Sequence, residues 1–148
     1  MEVVVVKIQM RTQAARAAEW LAALVGAVNC VLVPAAFAPS QGNLFPLPGL
    51  YFVQIALVGV LVLAFVAFRP RPKARWSALP WLAAGIMLAF VVLGGFSIGP
   101  FLIPALLAFL VTGVMVDLQG GGSMTRHIGY LLVAAMAQAG VMMAMTLF

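Results

Sequence analysis

Glu19, Asp117 and His127 are the residues of this chain whose types could do acid–base chemistry beside its apolar segments. Glu19 opens the first apolar run, Asp117 closes the fourth, and His127 opens the fifth. Carboxylates and imidazoles can relay protons, hold metals or activate a nucleophile. Here they are too few and too spread for most of that work. A membrane haem with two axial histidines needs two, and the chain has one His. A structural zinc site needs about four Cys or His ligands, and there is one Cys and one His. Cys30 and Ser97 have no acid–base partner nearby in sequence, so neither reads as a nucleophile. The sequence therefore assigns no catalytic, cofactor-binding or metal residues, and no cofactor is expected.

The neutral polar residues carry more information. Asn29, Gln54, Thr112 and Gln138 each fall inside an apolar run. In hydrocarbon each must find a partner, and such interhelical bonds contribute about 0.6–2 kcal/mol. The expected role is glue between helices. The sharper alternative is the polar lining of a small-molecule or ion path. Glu19 beside Trp20 in the first run resembles the first-helix carboxylate with which small multidrug exporters bind cations and protons. Those proteins have four spans and a deeper carboxylate. The favoured reading of Glu19 is a first-turn carboxylate paired with Arg16 or a lipid headgroup. Asp117 and His127 are likewise expected to reach headgroups or water.

The elements that must position these residues follow from composition. Of 148 residues, 66% are hydrophobic and 7% charged, against roughly 25% charged in an average soluble domain. Eight basic and three acidic side chains cannot clothe a water-soluble surface of this size. The apolar runs are about 20 residues long, the length that crosses a hydrocarbon core of about 30 Å. The fold class is all-α, a polytopic membrane bundle of about five transmembrane helices over 18–37, 50–68, 78–95, 100–116 and 128–147. Residues 1–17 form a cytoplasmic N-terminal arm and helix start, and 18–148 a single transmembrane domain. The net charge of +5 does not indicate nucleic-acid binding, because the basic residues sit in short segments between apolar runs, not on a reader module. Cys30 is a small apolar packing residue.

Several segments bear on that count. Residues 1–10 carry a β-branched run, Val3 to Val6, read either as a strand-like arm or as a translated leader with Met10 the true start. The first span competes with a signal peptide ending at Ala36–Phe37–Ala38. Pro39 is a poor neighbour for cleavage, so a retained span is favoured, with Pro34 ending or kinking its last turn. Residues 39–49 form an uncharged Pro- and Gly-containing loop whose Leu44, Phe45 and Leu47 should lie along the outer membrane interface or pack over the helix ends. Residues 69–76 form a stiff basic loop. The stretch 78–117 would extend about 60 Å as one helix, so it must fold back at Gly94, Gly95, Gly99 and Pro100, with Ser97 bonding the turn backbone. Residues 117–127 read as a polar, flexible connector around Gly120–Gly122.

Five spans place all eight basic residues on one side: Lys7, Arg11, Arg16, Arg69, Arg71, Lys73, Arg75 and Arg126. The positive-inside rule then puts the N-terminus in the cytoplasm and the C-terminus outside a bacterial-type plasma membrane. Small residues at four-residue spacing permit close helix approach: Ala22 and Gly26, Ala23 and Ala27, Gly85 and Ala89, Ala135 and Ala139. Met136, Met142, Met143 and Met145 make the last span adaptable, for internal packing or for another subunit or hydrophobic cofactor. The expected partners are the lipid bilayer and either other membrane proteins or further copies of the chain. The expected function is a non-catalytic accessory or scaffold subunit of a larger membrane complex. The alternative is a small transporter or channel protomer with a polar path near Asn29, Gln54 and Gln138. A membrane enzyme on lipid or isoprenoid substrates would need Glu19, Asp117 and His127 to cluster.

Overall fold

The computed structural model describes residues 2–40, 42, 48–68, 77–120 and 123–147, with side chains from Gln13 onward. The described residues form five α-helices: α1 (Glu2–Phe37), α2 (Gly49–Phe68), α3 (Leu79–Leu93), α4 (Ile103–Gly120) and α5 (Met124–Leu147). Short 3₁₀ turns follow α1 at Ala38–Ser40 and precede α4 at Gly99–Leu102. There is no strand among them. The protein is an all-α bundle of membrane character. Four stretches are long and apolar enough to cross a bilayer: Gln13–Ser40, Gly49–Phe68, Gly99–Gly120 and Met124–Leu147.

The fifth helix, α3, has 15 residues, about 22 Å at 1.5 Å per residue. It nevertheless runs between the same two ends as the others. Near its start, Trp81 bonds Asp117 at the end of α4, and Ser77 lies against His127 at the start of α5. Near its end, Phe90 packs edge-on against Tyr51 at the start of α2, with ring centroids 5.8 Å apart. The Tyr51 hydroxyl in turn donates to the Met142 carbonyl, far along α5. Each consecutive helix therefore runs opposite to the last. A short helix is tolerated here because its neighbours sheath it: eight of its residues are buried.

The turn between α3 and α4 falls where the sequence places it. Gly94 caps α3 by donating its N–H to the Phe90 carbonyl, and the N–H groups of Ser97 and Gly99 both return to the Gly94 carbonyl at 2.8 Å. A side chain on Gly94 or Gly99 would collide with that folded backbone. The Ser97 hydroxyl also donates to the Gly94 carbonyl, at 3.2 Å.

The four most extensive helix–helix contacts of the bundle each hold a glycine. Gly26 of α1 faces the Phe109 ring of α4, and Gly59 of α2 faces Ala27 and Cys30 of α1. Gly113 of α4 faces the Trp81 indole of α3, and Gly85 of α3 faces the Leu131 carbonyl of α5. With little hydrophobic force to drive association in lipid, close backbone approach recovers dispersion energy. Between these contacts Ile55, Val62, Met87, Phe90, Leu102 and Phe109 fill the core.

Two segments differ from the sequence reading. Residues 2–10 are helical and continuous with α1, not strand-like. Extending a helix needs no new nucleus, and the penalty for β-branched residues is only a fraction of a kcal/mol each, about 0.7 at most. Pro34 lies in the last turn of α1, which ends at Phe37, where the sequence reading ends the first span. The connector expected at 117–127 is mostly helix, since α4 runs to Gly120 and α5 starts at Met124. The interfacial loop residues Leu44, Phe45 and Leu47 and the basic loop 69–76 lie outside the described residues.

Candidate functional site

The extension of α4 and the early start of α5 bring Asp117 and His127 face to face. Asp117 sits in the last turn of α4 and His127 in the first turn of α5. His127 Nδ1 lies 2.7 Å from Asp117 Oδ2. The Trp81 indole N–H donates to the same oxygen at 3.1 Å. On the other side of the imidazole, Nε2 lies 3.3 Å from the Ser77 hydroxyl. An ionised carboxylate only accepts, so Nδ1 carries a proton toward Asp117. In neutral His127, Nε2 is then an acceptor facing the Ser77 O–H. The result is a chain of side chains from three helix ends: Ser77 ahead of α3, His127 on α5, Asp117 on α4.

All three are buried, with 5%, 1% and 6% of their surfaces exposed. Glu19 is buried too, at 2%, and accepts from the Gln119 amide at 2.9 Å. This differs from the expectation that Glu19, Asp117 and His127 reach headgroups or water. The reason is the packing of the helix ends: Gln119, one turn further along α4 than a 100–116 span allows, covers Glu19. Asp117 Oδ1 is buried with no hydrogen-bond partner among the described residues. Arg16 and Arg126 are exposed at this same end of the bundle. It is also the end from which the chain enters α3 after the basic loop.

The neutral polar residues divide into pairs and singles. Gln54 of α2 and Gln138 of α5 face one another and exchange two amide bonds, 2.6 Å and 3.1 Å. Each amide thereby satisfies the other. Thr112 donates to the Ala108 carbonyl of its own helix at 2.8 Å, so it does not join two helices. Asn29 bonds neither glutamine, and its side-chain oxygen is buried without a partner among the described residues. Cys30 is buried with its thiol 3.9 Å from the Met87 sulfur. Among the described residues, no three His, Cys, Asp or Glu side chains stand together as a metal site.

Ser77 and Trp81 are the members of the end cluster that sequence reasoning passes over. Their one available signal is spacing: they lie four apart across the start of α3, on one face of a helical turn. Gly59 and Gly113 are also missed as contact residues, since neither has a small neighbour singled out at four-residue spacing.

No protein-family model matches the chain, and no curated protein or solved structure shows significant similarity to it. The site joins three helices at one end, its polar members are buried, and they are ordered donor to acceptor.

Proposed function

We propose that the protein is an accessory or scaffold subunit of a larger membrane complex, working through helix surfaces, not through a path across the bilayer. The observation that carries this reading is α5. It has 24 residues, and only His127, Leu131 and Gln138 are buried. The outward face carries Met136, Met143, Val133 and Val141. A side chain added at Gly129 or Gly140 would meet nothing within 4 Å, whereas one at Gly26, Gly59, Gly85 or Gly113 meets a neighbouring helix. Gly140 and Ala144 thus present small-residue spacing with no internal partner.

The interior speaks against a path. Gln54 and Gln138 spend their amides on each other, and Asn29 does not join them. The proposed setting is a bacterial-type plasma membrane with the N-terminus cytoplasmic, supported by the grouping of Arg16, Arg126 and the chain entering α3 at one end. Partners are other membrane proteins or further copies of this chain, set in lipid.

Purification of the tagged full chain from its native membrane in mild detergent, followed by mass spectrometry, tests this. The expected result is a fixed membrane-protein partner at constant ratio, or a defined oligomer. A stable, monodisperse monomer with no partner overturns it.

A further inference from the structure

We propose that Ser77, His127 and Asp117 form a nucleophilic acyl-transfer site for ester-linked acyl groups at the membrane interface. This goes beyond the scaffold reading and does not depend on it. It also departs from the sequence expectation of no catalytic residues, because Ser77 becomes visible only once α3, α4 and α5 meet.

The ordering of the three groups carries the inference. A serine hydroxyl is a weak nucleophile until a base stands ready to take its proton. His127 Nε2 is 3.3 Å from the Ser77 hydroxyl, slightly longer than the ideal and typical of a site without substrate. The base itself needs a fixed tautomer and support for its positive form. Asp117 Oδ2, 2.7 Å from Nδ1, supplies both. Trp81 holds that carboxylate oxygen from a second side at 3.1 Å. Such order is more than glue requires: the Gln54–Gln138 pair joins two helices with no titratable group at all. The serine also precedes the first turn of α3, where the positive end of the helix dipole favours developing negative charge on a substrate oxygen.

The substrate class follows from place. The cluster sits at the end of a membrane bundle, where ester linkages of lipids meet apolar chains. Met124 and Ile128 flank His127 on α5 and are exposed, giving an acyl chain an apolar surface beside the base.

In the first step Ser77 Oγ bonds the acyl carbon and its proton passes to His127 Nε2. The carbon–oxygen bond to the alcohol breaks, and that oxygen takes the proton from Nε2. Water then attacks the acyl-serine and gives a proton to Nε2. The carboxylic acid departs as Ser77 Oγ recovers the proton. Asp117 is a positioning residue throughout.

The test uses the purified full chain in detergent micelles and an alkyl fluorophosphonate probe. Oγ bonds phosphorus, fluoride leaves, and the hydroxyl proton goes to Nε2, so the reaction reports the relay without any knowledge of the natural ester. The expected result is one phosphonyl adduct, mapped by peptide mass spectrometry to Ser77 and absent in Ser77→Ala. His127→Gln should slow labelling by about a hundredfold or more, since loss of the base removes most nucleophilic reactivity in such sets. Asp117→Asn should slow it and shift its pH profile, a readout that a purely structural role would not move. Failure of folded wild-type protein to label at Ser77 overturns the proposal. So does labelling that is undiminished in His127→Gln. If a His127 variant does not fold, labelling at Ser77 in preference to Ser97 and Ser123, which are exposed, decides the matter alone.

Discussion

Helices α3 and α5 lie side by side and run the same way, yet they live in opposite surroundings. α3 is the shorter, at 15 residues, and has eight of them buried. α5 is longer, at 24 residues, and has three buried. A helix too short to span hydrocarbon is stable in the centre because protein, not lipid, satisfies its surface. A helix long enough to span can sit at the edge, held along one stripe. The difference separates two uses of glycine in one chain. In α3, Gly85 lets the α5 backbone close in. In α5, Gly129 and Gly140 open onto space.

The contact between α3 and α5 is tightest at Gly85. Gly85→Leu places a side chain against the Leu131 carbonyl, a backbone group with no rotamer to change. The expected loss is about 3 kcal/mol or more, from overpacking, together with separation of the polar contacts that tie α5 down. Thermal unfolding in detergent should show a large drop in midpoint; an unchanged midpoint would mean that α3 and α5 are not in close contact.

Asp117→Ala is next. It leaves His127 Nδ1 and the Trp81 N–H buried without their acceptor, at an expected cost of about 2–3 kcal/mol. The unfolding midpoint and the near-ultraviolet signal of Trp81 should both change. A neutral result would indicate that the end of α4 does not hold α3 and α5 together.

Gln138→Leu should cost about 1 kcal/mol, because it strands the Gln54 amide in the bundle. The double variant Gln54→Leu with Gln138→Leu should recover most of that loss, since removing both partners leaves nothing unsatisfied. If the double variant is as weak as the sum of the singles, the two amides are not partners.

Gly140→Leu sharpens the contrast from the other side. Its new side chain meets nothing within the monomer. The expected change in monomer stability is within about 0.5 kcal/mol, while co-purification with a partner should fall. Destabilisation equal to that of Gly85→Leu would erase the distinction between the two helices.

Much of this was legible in the residues. The apolar runs mark α1, α2, α4 and α5, and Gly94 to Pro100 marks the fold-back, because hydrophobic length and backbone breakers act locally. Gln54 and Gln138 are visible as buried amides, but their pairing is not, since it depends on how α2 and α5 align. The end cluster was half legible. Asp117 and His127 stand out by type, and their position at one end follows from alternating spans. Their burial does not, because Gly120–Gly122 reads as a breaker while the helices run up to it from both sides. Ser77 was hidden for a plainer reason: a serine at a helix start is usually a local cap, and only the approach of α5 gives it a histidine.

Contact between the outer face of α5 and another protein is what a scaffold subunit requires. A photo-crosslinking amino acid at Met136, and in a parallel sample at Val53 on the exposed face of α2, measures this in native membranes. The expected result is a protein adduct of one defined mass from Met136, with lipid adducts alone from Val53. Lipid adducts alone from Met136 would contradict the subunit reading.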